Sequence, residues 1–93
     1  ELAYEYGFTY NRVFIRKQKT RWGSCSLKKN INLNINIYNL PPDYQNYIIL
    51  HELVHTEIQN HSPAFWDRLT TICQGAKEIN KRLKKYRPNA AIV

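Results

Sequence analysis

The chain has 93 residues, of which 43% are hydrophobic and 13% aromatic, and its formal net charge is +7. This length allows one domain with a small core, and this composition excludes an intrinsically disordered chain. No apolar run approaches the length of a membrane span, and no signal peptide is visible, so we expect no membrane association. Cys25 and Cys73 form neither a CxxC pair nor a disulfide framework, which predicts reduced thiols and a cytoplasmic location.

The first strands are predicted in the N-terminal third of the chain. Residues 10–17 are rich in β-branched and aromatic side chains, a composition that favours a strand. The segment TRWGSCS predicts a second, shorter strand or a bend. Within it, Gly23 either turns the backbone or lets another group approach closely. We interpret residues 27–30 as a hairpin loop that follows this strand.

The clearest strand pattern covers residues 31–37, where isoleucine or leucine alternates strictly with asparagine. A period of two residues gives the strand one apolar face and one polar face. The simpler interpretation is a half-buried sheet strand without a further role. The alternative is an edge strand on which an extended peptide pairs by β-augmentation.

Three helices are predicted after the strands. The first opens at residues 40–43, where proline suits the first turn and Asp43 complements the helix dipole, and it extends to Gln59 or Asn60. Its apolar face consists of residues at helical spacing, namely Tyr47, Leu50, Val54 and Ile58. Strands followed by helices predict an α+β fold with a small antiparallel sheet of about three strands, followed by three helices.

The second and third helices have clear boundaries. Ser62 is the predicted N-cap of the second helix, Pro63 is its first residue, and the helix stops at residues 74–75. The third helix covers residues 76–85, with Ile79, Leu83 and Tyr86 directed inward and basic residues on its other faces. No element is predicted over residues 87–93.

All three histidines lie in one short segment around the first helix. His51, Glu52 and His55 match H-E-x-x-H, and residues four apart face the same side of a helix. Two imidazoles so placed suit one Zn²⁺, and Glu52, about 100° around the axis, suits a general base toward zinc-bound water. A catalytic zinc usually has three protein ligands. His61 is the candidate third, because it follows the predicted helix end, precedes the Ser62 cap and has the spacing of the long zincin signature.

A chance match and a purely structural zinc site are the alternatives to a catalytic centre. The amphipathic helix and the third histidine favour catalysis. The reaction also needs a donor for the oxyanion, and Arg21, Tyr38 and Tyr86 are candidates among which the sequence does not choose. Neither Ser24 nor Cys25 suits a nucleophile, because Ser24 lacks a G-x-S-x-G elbow and Cys25 would compete with zinc for the same histidines.

Three motifs occur in a fixed order along the chain: RWGSCS, HELVH and NHSPAFW. Together they resemble the YgjP-like metal-dependent hydrolases, which are zincins related to the SprT-like and WLM proteases, over residues 10–86. The resemblance implies a zincin-like α+β fold and a metallopeptidase that cleaves amide bonds in proteins or peptides. It implies one Zn²⁺ per chain on His51, His55 and His61, with Glu52 as the catalytic acid and base.

The resemblance also implies that residues 1–93 form a single zincin-like catalytic domain, the C-terminal part of a longer protein. Two features argue against a metzincin. Ile58 stands where the metzincin signature has glycine, and the chain has no methionine for a methionine turn.

The positive charge is the basis of a second hypothesis. Lysine and arginine concentrate in residues 12–29 and 77–87. The third predicted helix carries the following cations: Lys77, Lys81, Arg82, Lys84 and Lys85. A solvated basic surface is the simpler interpretation, and the alternative is a nucleic-acid-binding module with a structural zinc site. Such contact would be non-specific, because the sequence has no recognisable recognition helix or RNA-binding signature.

Overall fold

The computed structural model describes residues 2–18, 21–86 and 91–92. The elements in these ranges are, in chain order, α1 (Leu2–Tyr6), β1 (Arg12–Arg16), β2 (Arg21–Cys25), β3 (Asn30–Asn34), a 3₁₀ helix (Ile35–Asn39), α2 (Pro42–His55), α3 (Pro63–Ile72), α4 (Ala76–Tyr86) and β4 (Ala91–Ile92). None of these helices combines the length and the apolar character that a membrane crossing requires.

The strands form one sheet in the order β1-β3-β2-β4. The hairpin of β2 and β3 is antiparallel, as predicted, but β1 is parallel to β3 and β4 is parallel to β2. The predicted α+β class is therefore confirmed, whereas the prediction of a purely antiparallel sheet is wrong. The reason is that β3 lies between β1 and β2, so β1 pairs with the arm of the hairpin that runs in its own direction.

The predicted strand over residues 31–37 is only half right, because β3 ends at Asn34. The Asn34 side chain accepts a hydrogen bond from the Asn36 amide at 2.9 Å, which starts the 3₁₀ helix. Its own amide group donates to the Gln18 and Arg21 carbonyls at 3.0 and 2.8 Å. Asn34 is fully buried, so the asparagine face is not simply solvated. The edge-strand interpretation is also wrong, since β3 pairs on both sides.

Helix α2 packs against the sheet and forms the centre of the core. Tyr47, Ile48 and Val54 on this helix are fully buried, as are Phe65 and Leu69 on α3. The first predicted helix begins at Pro42 but ends at His55, earlier than the predicted Gln59 or Asn60. A turn closes it, in which the amides of residues 56–58 donate to the carbonyls of residues 53 and 54. This early end leaves room for the chain to return toward α2 before α3.

The other helices follow the prediction closely. Ser62 caps α3 by accepting a hydrogen bond from the Phe65 amide at 3.4 Å, and Pro63 is the first helical residue. On α4, Leu83 is buried and Ile79 is half-buried, as predicted. The inward direction predicted for Tyr86 concerns a side chain outside the part of the chain that the structure describes.

Besides the 3₁₀ helix, two elements were not predicted. Helix α1 packs against α2 through buried Ala3. With five residues, it is too short to show a helical period. Strand β4 lies in the tail for which no element was predicted, and residues 87–90 and 93 of that tail are outside the described ranges. Cys25 and Cys73 are both free thiols, and Cys73 is buried whereas Cys25 is half-buried.

Candidate active site

The three histidines meet at one end of α2. His51 and His55 are one turn apart on this helix and are buried, whereas His61 is exposed in the segment between α2 and α3. The Nε2 atom of His61 lies 3.2 Å from Nε2 of His51 and 3.1 Å from Nε2 of His55. Among the described residues, these three side chains form a group that could hold a metal ion. The predicted ligand set is thus brought together by the fold.

The Nδ1 atoms of His51 and His55, which face away from His61, have neighbours that bear on the protonation of these two rings. Nδ1 of His55 lies 3.0 Å from the Ile58 carbonyl oxygen, which only accepts, so the proton is on Nδ1 and Nε2 carries a lone pair. Nδ1 of His51 lies 3.3 Å from the Tyr47 hydroxyl oxygen. Burial lowers the pKa of His51 well below its ordinary value, and the neighbouring His55 and His61 lower this pKa further. Burial also lowers the pKa of His55, against the opposing effect of its hydrogen bond to Ile58.

Neutral imidazoles are the form that binds a metal. A tetrahedral zinc with Zn–N bonds of about 2.0–2.1 Å holds its ligand nitrogens about 3.3 Å apart. The observed separations of 3.1 and 3.2 Å between Nε2 atoms are close to this value. If only one of the three Nε2 atoms carried a proton, this proton could not form hydrogen bonds that pair the lone pairs of both other nitrogens well. The geometry of the cluster and the lowered pKa values of His51 and His55 therefore fit a bound divalent cation.

The Phe65 side chain supports all three imidazoles from behind. Its ring centroid lies 4.8 Å from that of His51, 4.5 Å from that of His55 and 5.0 Å from that of His61. Phe65 is fully buried and belongs to the first turn of α3, whose start is fixed by Ser62. The start of α3 at Ser62 and Pro63 therefore positions both the Phe65 ring and the adjacent His61. This explains why the segment lies shortly after the H-E-x-x-H motif.

Glu52 lies on α2 beneath strand β2. A Cβ atom on Gly23 would lie 3.2 Å from the Glu52 Cγ and Oε2 atoms and 3.2 Å from the Asn32 carbonyl oxygen. Of the two roles considered for Gly23, close approach is therefore the correct one, and its φ is not in the left-handed region. The glycine allows the sheet to pass directly over the carboxylate.

The Glu52 carboxylate is fully buried, and neither of its oxygens has a hydrogen-bond partner in the described part of the chain. Burial raises the pKa of Glu52 well above its ordinary value. An unpaired buried carboxyl group destabilises a fold, so its presence on the helix that also carries His51 and His55 favours a functional role.

The remaining sequence candidates have different surroundings. Arg21 is exposed at the start of β2, and Tyr38 is 69% exposed in the 3₁₀ helix. The Tyr86 side chain lies outside the described part of the chain. Cys25 is half-buried, and burial together with the nearby Glu52 raises the pKa of its thiol to about 11, against the effect of Lys29. This thiol is not an activated nucleophile, in agreement with the sequence analysis.

Sequence reasoning missed two residues near the cluster. Tyr47 was assigned only to the apolar face of the helix, although its position one turn before His51 is a signal that could have found the contact. Asn80 on α4 accepts a hydrogen bond from the Tyr47 hydroxyl at 3.0 Å. It gives no such signal, because it lies 33 residues away from Tyr47 in sequence.

Known metallopeptidases are similar to this chain in sequence and in fold. A family model described as "YgjP-like, metallopeptidase domain" matches residues 1–86. The crystal structure of the metallopeptidase zymogen of Pyrococcus abyssi abylysin is similar, with a TM-score of 0.83 and 29% sequence identity, over 98% of this chain and 91% of that one. A search of curated proteins gives no match. The match to the family model extends over most of the chain, and the chain therefore belongs to the YgjP-like metallopeptidase domains, with the zincin-like fold that its three motifs predicted.

Proposed function

We propose that this domain is a zinc peptidase in which His51, His55 and His61 bind the metal and Glu52 is the general base. The observation that carries the proposal is the meeting of three Nε2 atoms, with that of His61 at 3.1 and 3.2 Å from the other two, on the helix that also carries an unpaired buried carboxyl group. When bound, zinc lowers the pKa of a coordinated water toward neutrality and polarises the substrate carbonyl.

The protein's own groups supply the proton transfers. Glu52 takes a proton from the attacking water and later donates it to the leaving amine, so that one carboxyl group acts as base and then as acid. Burial raises the pKa of Glu52, and this supports the role, because a more basic carboxylate takes up a proton more readily. The neutral His51 and His55 meanwhile keep their Nε2 lone pairs available as ligands.

A protein or peptide is the proposed substrate, and hydrolysis of its amide bond requires a donor for the oxyanion that develops. Arg21, Tyr38 and Tyr86 remain the candidates. Arg21 has the position best suited to this role, because it lies two residues before Gly23 on the strand that covers Glu52. The free thiols of Cys25 and Cys73 support a cytoplasmic location for the enzyme.

Metal analysis tests the site directly. The protein should be purified without added zinc, and its metal content measured by mass spectrometry beside that of His55→Ala. We expect about one zinc per wild-type chain and substoichiometric metal in the variant, whose fold is checked by circular dichroism. Wild-type protein that stays metal-free when zinc is supplied, or a variant that retains full occupancy, would overturn the assignment.

A second candidate function is non-specific binding to nucleic acid. The observation that favours it is a set of exposed cations on α4: Lys77, Lys81, Arg82 and Lys85. The side chain of Lys84 lies outside the described part of the chain. Affinity for duplex DNA should fall steeply as salt rises if phosphate contacts drive binding. An affinity that does not change with salt would exclude this function.

A further inference from the structure

We infer that Tyr47 and Asn80 are positioning residues that hold His51 in the tautomer and orientation required of a metal ligand. The inference rests on the proposed metal site and concerns residues that neither touch the metal nor belong to the H-E-x-x-H motif. It assigns a function to a contact between α2 and α4 that packing alone does not require.

Asn80, Tyr47 and His51 form a hydrogen-bonded relay. The Tyr47 hydroxyl oxygen lies 3.0 Å from Asn80 Oδ1 and 3.3 Å from His51 Nδ1. Because Asn80 Oδ1 accepts the phenolic hydrogen, the oxygen of Tyr47 presents only lone pairs to His51. The proton in the second contact is then the one on His51 Nδ1. An imidazole protonated at Nδ1 keeps its lone pair on Nε2, the atom that faces His61.

The surroundings of the relay favour one direction of donation, from His51 to Tyr47 and from Tyr47 to Asn80. Tyr47 is fully buried, His51 is almost fully buried and Asn80 is half-buried. A tyrosine phenol is an ordinary hydrogen-bond donor, and Asn80 Oδ1 at 3.0 Å accepts its hydrogen. A buried polar atom without a partner is unfavourable, so Nδ1 of His51 should be paired with the Tyr47 oxygen. Because that oxygen presents only lone pairs, the pairing favours the tautomer protonated at Nδ1.

The two ligands on α2 are therefore oriented by different means. His55 is held by the Ile58 carbonyl three residues away, within the turn that ends the same helix. His51 is held by side chains that extend to α4, across 33 residues of sequence from Tyr47 to Asn80. The packing of α4 against α2 thus affects the metal affinity through the Asn80 amide and the Tyr47 phenol. Loss of the partner of a ligating histidine typically weakens metal binding about 10–100-fold.

Zinc affinity of the wild type and four variants, measured by competition with a chromophoric chelator, tests the inference. We expect Tyr47→Phe and Asn80→Ala to bind zinc about 10–100-fold more weakly than wild type. Asn80→Asp keeps an acceptor for the phenol and should restore affinity to near the wild-type value. Tyr44→Phe is the matched control, because it removes a phenol that interacts with Arg82 between the same two helices.

The tautomer of His51 is a second readout, and it needs no metal. In the metal-free wild-type protein, nitrogen NMR should show His51 protonated at Nδ1, and Asn80→Ala should lose this preference. His51 protonated at Nε2 in the wild type would overturn the inference, as would Tyr47→Phe with unchanged zinc affinity. If the wild type binds no zinc at all, the proposed function fails instead, while the NMR result still tests the relay.

Discussion

Gly23→Ala is the substitution that most closely tests how the sheet and the catalytic helix fit together. The added Cβ would lie 3.2 Å from the Asn32 carbonyl oxygen, and also 3.2 Å from Cγ and Oε2 of Glu52, which is closer than ordinary van der Waals contact. Asn32 belongs to the neighbouring strand of the hairpin, so its carbonyl cannot move without disturbing the ladder between β2 and β3. The side chain of Glu52 must therefore move away from the new methyl group by roughly a few tenths of an ångström or more, as in an overpacked core.

The expected effects on stability and on catalysis differ in size. Overpacking a core typically costs about 1–3 kcal/mol, and replacing a strand glycine with alanine recovers about 0.5–1 kcal/mol, so the net loss is roughly 1 kcal/mol. That corresponds to a fall in Tm of about 4–8 °C for a domain of this size. Catalysis should suffer more, because misplacement of a reacting group by about 1 Å can lower the rate about 100-fold.

The assay is hydrolysis of an unstructured protein such as fluorescent casein, at matched zinc occupancy and matched folded fraction. Gly75→Ala is the control, because Gly75 has a φ of +78° and a Cβ atom added to it would meet no other part of the fold within 4 Å. It should lose a similar stability, about 1 kcal/mol, through backbone strain alone and keep the wild-type kcat. Zinc affinity should be unchanged in both variants, since neither touches a histidine. A Gly23→Ala enzyme with wild-type kcat would refute the reasoning.

The remaining predictions concern charge, hydrogen bonding and the oxyanion. The folded-state pKa of Glu52 is raised above 4.5, so the folded protein binds more protons than the unfolded chain and loses stability as pH rises. With the metal removed by chelator, the free energy of unfolding of Glu52→Gln should therefore rise relative to that of wild type by up to about 1.4 kcal/mol per pH unit above about pH 4.5. Denaturant titrations at several pH values measure this difference, and a difference that does not change with pH would contradict the prediction. Asn34→Asp cannot donate to the Gln18 and Arg21 carbonyls and should lower the free energy of unfolding by about 2 kcal/mol; unchanged stability would refute that role. Arg21→Ala and Tyr38→Phe test two candidate donors to the oxyanion. The variant that removes the donor should lower kcat about 100–1,000-fold with little change in KM, and an unchanged kcat in both variants would exclude both residues from this role.

The histidine cluster was predictable because its determinants are local. His51 and His55 are four residues apart, so the helical period alone places them on one face. The position of His61 followed from the chain stopping and restarting within a few residues, and the Ser62 cap that fixes this restart is itself readable in the sequence. The three motifs then identified the family, which the family model and the structural similarity confirm.

The features that were mispredicted depend on partners distant in sequence. The order of the strands is set by pairing across the sheet, and the strand period does not report which neighbour a strand takes. The end of β3 depends on Asn34, whose buried amide binds carbonyls more than ten residues earlier in the chain. Tyr47 and Asn80 likewise meet only in the folded protein, so neither helix period nor composition could pair them.

The central claim is that Glu52 activates water at a metal site held by the three histidines. The most direct test is hydrolysis of unstructured casein by zinc-loaded wild type and Glu52→Gln, with metal content measured on the same samples. We expect equal zinc in both proteins and a loss of about 10²–10⁴-fold in the rate of the variant. A variant that binds zinc normally and cleaves casein at the wild-type rate would contradict it.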